Sequence, residues 1–143
     1  MTTTLPMLET YPQSINLDRE QLAVAIDALI DCSEACTACA DACLSESMVA
    51  ELTKCIRTNL DCADICATTA RVLSRHTGYD ANISRTLLEA CAMACRACAV
   101  SVRGTAAMMR LGIAANAMDV PMPTTTEPTT TCHSVALAKT RAT

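Results

Sequence analysis

The run CSEACTACADAC, Cys32 to Cys43, spaces four thiols at intervals of four, three and four residues. A helix turns by about 100° per residue, so all four fall in one stripe about 60° wide. Two more runs repeat the pattern. Cys55, Cys62 and Cys66 share a stripe, and so do Cys91, Cys95 and Cys98. Spacings of i, i+4, i+7 and i+11 belong to the a/d-type seam that a helix turns toward a bundle core. Three such stripes converge on a thiol-lined interior.

The surrounding sequence supports helices at each run. Residues 15–45 carry no Gly or Pro after the start, with Asn16 as the expected N-cap and Asp18 and Glu20 in the first turn. Ser47 is the expected cap of a second helix, from Met48 to about Arg75, stopped at Gly78. A third begins near Asp80 or Ser84 and runs through SRTLLEACAMACRACAVSV, with Gly104 weakening its far part. Short links between long helices predict an antiparallel bundle. The expected fold is therefore all-α, an antiparallel four-helix bundle with a cysteine-lined core. Its fourth helix is poorly written in TAAMMRLGIAANAMDV, which either continues the third helix or turns at Gly112. The expected organisation is an extended lead over residues 1–14, the bundle over 15–120, and a disordered Thr/Pro-rich tail over 121–143.

Composition narrows the function. The chain has no Phe or Trp and only two Tyr among 143 residues, so aromatic rings do not fill its core. Net charge is −4, without the basic footprint of a nucleic-acid binder. MTTTLPMLETYPQS does not read as a secretory signal, and no apolar run has the length of a membrane span. A cytoplasmic location is expected, where thiols stay reduced. Eleven cysteines then favour metal over disulfides, and an odd count fits a fully paired framework poorly. Buried Cys as a small hydrophobe is the ordinary alternative. It accounts for a few core cysteines but not for ten on three stripes.

Thiolates select Cu(I), zinc or iron–sulfur clusters. Structural zinc uses two knuckles closing one site, and ferredoxin-type clusters use cysteine loops that wrap them. Here the CxxC pairs lie inside continuous helix. Cu(I) accepts two or three thiolates, so a CxxxC pair one turn apart grips it. Cys32–Cys36, Cys39–Cys43, Cys62–Cys66 and Cys91–Cys95 are four such pairs. A ladder of pairs implies storage of many ions. Met48 and Met109 fall on the thiol faces, and His76 lies near the end of the second stripe. Met48 and His76 are candidate ligands for copper entering and leaving. Met93 points away from its stripe, and Asn59 and Thr69 read as polar spacers. No catalytic constellation appears, and Asp31, Asp41 and Asp61 read as solvated faces, so the chain is not expected to be an enzyme.

The runs CTACADAC, KCIRTNLDCADIC, VLSRHTGYD and LLEACAMACRACA resemble the cytosolic bacterial copper storage proteins. The resemblance implies a four-helix bundle loading many Cu(I) ions, assembled as a homotetramer and exchanging copper with a chaperone or acceptor protein. Carried over, Cys32, Cys36, Cys39, Cys43, Cys55, Cys62, Cys66, Cys91, Cys95 and Cys98 are the core ligands. A ferredoxin-like electron carrier and a zinc-stabilised interaction module are the rival readings. Two departures stand out. Ala25 occupies a stripe position where many members have Cys, and Val102 occupies the i+11 point of the third stripe. A one-base frame shift after Ala99 is one expected cause. Ser101-Val102 written AGT-GTG reads TGT, a Cys codon, in the shifted frame. The junctions Ile113-Ala114, Asn116-Ala117 and Asp119-Val120 permit the same, and the gene sequence tests it.

Overall fold

The computed structural model describes residues 2–113, with the helical backbone alone from 105 to 113. Four α-helices carry the described chain: α1, Thr4–Glu9; α2, Arg19–Leu44; α3, Thr53–Leu73; and α4, Ala81–Ile113. A single 3-10 turn, Val49–Glu51, precedes α3, and no strand occurs among the described residues. The fold is all-α, as expected.

Helix α2 opens at Asp18, not Asn16. The Asp18 backbone is extended, and its carboxylate accepts the Gln21 N–H at 3.0 Å. Leu17 just before it joins the core that contains Leu22, an arrangement of the hydrophobic-staple type. That contact sets the boundary, because an N-cap at Asn16 would put Leu17 inside the helix. Replacing Asp18 by Ala removes the cap and is expected to lower stability by about 1 kcal/mol. Urea denaturation checks this as a shift in midpoint at constant slope.

Helix α3 also starts later than Ser47 and Met48 suggest. Leu52 holds the N-cap position without a side-chain bond. It is 1% exposed and packs with Cys43 and Cys55. Burial of this leucine, rather than a serine cap, anchors the start. At the other end the chain leaves α3 after Leu73 and reverses at Gly78, where φ is +62°. Only glycine takes that left-handed conformation without strain. The Asp80 carboxylate then accepts the N–H groups of Asn82 (2.7 Å) and Ile83 (3.4 Å), opening α4. Helix α4 passes through Gly104 and Gly112 without a break.

The lead is not wholly extended. Residues 4–9 form a helix, with Pro6 in the first turn, where its missing N–H costs nothing. Leu8 and Leu5 pack on the core, and Thr4 Oγ1 donates to the Asp27 carboxylate. Tyr11 Oη lies 2.9 Å from Thr77 Oγ1, with its ring edge-on to His76 at 5.4 Å. These contacts, which no local pattern announces, hold α1 against α2 and the α3–α4 turn.

Helix α3 is central, with α2 and α4 packed on either side. Cys43 meets Cys55 at one end of the antiparallel α2–α3 pair, and Cys32 joins Cys66 farther along. Cys62 meets Cys95 and Cys66 meets Cys91, which makes α4 antiparallel to α3. Helices α2 and α4 reach each other through side chains across the seam. Leu8, Leu22, Ile26, Leu29, Ala70 and Leu73 fill the end of the interior near the α3–α4 turn. The thiols occupy the rest. The part of the expected fourth wall beyond 113, the tail over 121–143, Cys132 and His133, and the shifted-frame junctions from 113–114 onward fall outside the described residues, as does the side chain of Met109. Among the described residues, no helix is long and apolar enough to cross a membrane.

Candidate metal centre

Each stripe faces inward, with the charged residues of each helix turned outward. On α2 the inward line Leu22, Ile26, Leu29 continues as Cys32, Cys36, Cys39 and Cys43, while Asp31, Glu34 and Asp41 are exposed. On α3 Cys55, Cys62 and Cys66 are buried, and Arg57 and Asp61 pair on the outside at 2.8 Å. An exposed pair of this kind adds little. On α4 Cys91, Cys95 and Cys98 are buried, and Met93 is 61% exposed, pointing away as its position implies.

All ten expected cysteine ligands enter the interior, and none forms a disulfide. Cys66 Sγ lies 3.5 Å from Cys91 and 3.6 Å from Cys95. Cys62 Sγ lies 3.6 Å from Cys95, 3.9 Å from Cys32 and 4.0 Å from Cys66. Cys36 Sγ lies 3.8 Å from Cys98, and Cys91 lies 4.0 Å from Cys95. Two sets have sulfurs mutually close enough to share an ion: Cys32, Cys62, Cys66 and Cys95, and Cys36, Cys62 and Cys98. Cys62 belongs to both, and Cys91 joins through Cys66, so these seven thiols form one connected network.

The other three thiols form a second group. Cys39, Cys43 and Cys55 pack with Leu52, Ile56 and Met48 at the opposite end from the leucines. Met48 packs against this cluster, although it precedes α3 and so holds no place on that helix's stripe. His76 follows Cys66 by ten residues, with Leu73 between them in the packed core, and it lies against Tyr11. Its Nε2 is buried without a hydrogen-bond partner, and burial lowers its pKa.

Asn59 was legible only as a spacer, but it does more. It is 1% exposed and sits between the two thiol groups. Its Nδ2 donates to the Cys55 carbonyl at 2.9 Å and approaches Cys55 Sγ at 3.4 Å, while Oδ1 accepts from Cys98 at 3.3 Å. The available signal was an Asn on a cysteine stripe, four after one thiol and three before the next. Thr69, the other spacer, turns its hydroxyl onto the Ile65 carbonyl at 2.7 Å.

The close sulfurs do not ionise alike. Hydrogen bonds from Cys66 and Cys95 hold the Cys91 thiol down at about 4, against the effect of burial. Burial, with Cys55 and Cys39 beside it, pushes Cys43 up to about 12. At Cys98 the bond with Cys36 pulls down, but Cys62 and burial outweigh it and raise the group to about 12. Burial likewise raises Cys39, again with Cys55 beside it. The seam therefore holds both thiolates and thiols before any cation arrives. A soft cation bound there replaces thiol protons and neutralises sulfur charge that the apolar surroundings disfavour.

Comparison with known proteins agrees with this geometry. Residues 18–119 match the model of a family described as "Copper storage protein". The copper storage protein Ccsp of Streptomyces lividans, in a structure loaded with 10 copper equivalents, is 46% identical. It superposes with a TM-score of 0.79 over 95% of this chain and 96% of that one. A structure of the same cytosolic protein with five coppers gives 46% identity and a TM-score of 0.61, covering 86% and 88% of the two chains. The cysteine-rich protein YhjQ of Bacillus subtilis (strain 168) is 38% identical over 73 residues. That match covers 51% of this chain and 64% of the relative, less than two thirds of its length.

Proposed function

This chain belongs to the copper storage protein family, and from that premise we propose that it takes up several Cu(I) ions on its seam thiolates and buffers cytosolic copper. The single observation that carries the reading is the network of seven thiols, five linked by contacts of 3.5–4.0 Å and the Cys36–Cys98 pair joined to them within 4.8 Å of Cys62. One zinc ion or one iron–sulfur cluster takes four cysteines and leaves the others without purpose. Cu(I) is satisfied by two or three sulfurs, and one sulfur bridges neighbouring ions. Ten thiols then hold about five ions if unshared and about ten if every sulfur bridges two.

Uptake is a proton-for-copper exchange. Each Cu(I) displaces the protons of the thiols it binds: two thiols that give up two protons to one ion leave one net negative charge, and a sulfur that bridges two ions removes it. Because neighbouring sulfurs lie one helical turn or one helix apart, an ion moves by trading one sulfur for the next. Met48, packed against the cluster of Cys43, Leu52 and Cys55, serves ions at the end away from the leucine plug. His76, on the plugged side, is assigned to packing with Tyr11. The role is storage, not catalysis. Assembly as a homo-oligomer, with a copper chaperone or acceptor as partner, extends the reading.

Anaerobic titration with Cu(I) against a competing chelator tests it. Ultraviolet thiolate absorption should rise through at least about five equivalents. Saturation at one or two equivalents, or a brown visible chromophore, would defeat the proposal.

A further inference from the structure

The seam is interrupted. Between the seven connected thiols and the group Cys39, Cys43 and Cys55 lies a layer without sulfur on α3 or α4. Asn59 supplies it from α3. Val102 supplies it from α4, packing against both thiol groups at once. Both positions lie on the cysteine stripes of their helices.

The orientation of the Asn59 amide is fixed by its surroundings. The Cys55 carbonyl oxygen only accepts, so Nδ2 must face it at 2.9 Å. Oδ1 then faces Cys98 at 3.3 Å and is satisfied only by a sulfur that carries a proton. On its other side, Nδ2 approaches Cys55 Sγ at 3.4 Å and suits a sulfur that carries none. A 180° flip would set Oδ1 against the Cys55 carbonyl, two acceptors facing each other in a buried site. The amide is therefore asymmetric: it favours an occupied sulfur at Cys55 and an unoccupied one at Cys98.

We propose that Asn59, with Val102 beside it, divides the copper seam into two pools that fill and empty separately. The outer pool is Cys39, Cys43 and Cys55 with Met48, and the inner pool is the seven-thiol network. Asn59 is a positioning residue here. When Cys98 takes an ion it has no proton to give, so the bond to Oδ1 is lost. Loading at Cys98 is weakened by the value of that bond, about threefold for a neutral hydrogen bond to sulfur. The layer also removes the stepping sulfurs of α3 and α4 between the pools and leaves the step from Cys36 to Cys39 on α2 as the path across, which slows exchange. The inference rests on the storage reading, and one experiment separates the two.

Fully loaded protein is challenged anaerobically with excess Cu(I) chelator, and the ultraviolet thiolate band is followed in time. Total copper released reads capacity and tests storage. The time course tests the partition. Wild type is expected to release copper in two phases. N59C with V102C continues the sulfur ladder and is expected to merge the phases into one. N59A keeps both phases but raises inner-pool affinity about threefold. A merely structural amide would change unfolding and leave the phases and the affinities alone; helical circular dichroism confirms each variant's fold. A single phase in wild type at full capacity overturns the proposal. So do two unchanged phases in the double cysteine variant, or an inner affinity unmoved by N59A.

Discussion

Exchanging both Cys62 and Cys66 for serine is expected to remove about half of the copper capacity of the inner thiols and to weaken what remains by at least tenfold. The reason is position. Helix α3 is the middle wall, so its sulfurs face two neighbours instead of one. Cys62 touches Cys32, Cys66 and Cys95, and it also joins the set with Cys36 and Cys98. Cys66 touches Cys62, Cys91 and Cys95. Without them, the pairs Cys36–Cys98 and Cys91–Cys95 keep their sulfur contacts, but the links that join these pairs through α3 are gone. A serine hydroxyl is nearly the size of a thiol but is a hard donor that Cu(I) disfavours. The helices should survive the change, and circular dichroism checks this. The comparison is Cys39→Ser with Cys43→Ser, which also removes two thiols but should leave the inner network loaded. Copper counted at saturation against a chelator gives the answer. Equal losses in the two double variants would contradict the central role of α3.

The second large effect is in pH. Binding copper to a thiol expels a proton, so affinity climbs with pH as long as the thiol is protonated beforehand. Cys43, pushed up to about 12, and Cys39, also raised, are protonated at neutral pH. An ion held by that pair releases two protons, and its affinity should fall about 100-fold for each pH unit of acidification. Cys91, held down at about 4, is already ionised. An ion shared by Cys91 and one protonated neighbour releases a single proton and should lose only about tenfold per unit, down to pH near 5. Acidification therefore empties the Cys39–Cys43 pair before the ion held at Cys91. Chelator competition between pH 5.5 and 7.5, corrected for the chelator's own protonation, reads the slopes. One uniform slope for all bound copper would rule out the difference.

Much of this was visible in the sequence because helical periodicity is local. The angle between Cys32 and Cys43 depends only on the residues between them. So do the Gly78 reversal and the Asp80 start, which backbone chemistry dictates. The misplaced features each depended on a distant partner. Asn16 is a reasonable cap by type, but the burial of Leu17 beside Leu22 gave the position to Asp18. Ser47 is a reasonable cap, but Leu52 found a pocket between Cys43 and Cys55. Residues 4–9 have no strong helical pattern, and they fold because Leu8, Thr4 and Tyr11 meet α2 and the α3–α4 turn. His76 lies near a stripe, but wheel angle does not reveal that the leucine end of the core separates it from the thiols.

The sequence by itself determined that three helices would each present a line of sulfur to a common interior. Intrahelical angles are fixed by the backbone, and ten cysteines without competing aromatics leave little else to face inward. The tertiary structure alone decided how those lines align along their length. Leucine packing at one end sets the register between helices, and register decides that Cys62 meets Cys32 and Cys95 while Asn59 and Val102 share a layer that has no sulfur from α3 or α4. A stripe encodes direction around an axis, but not height along it.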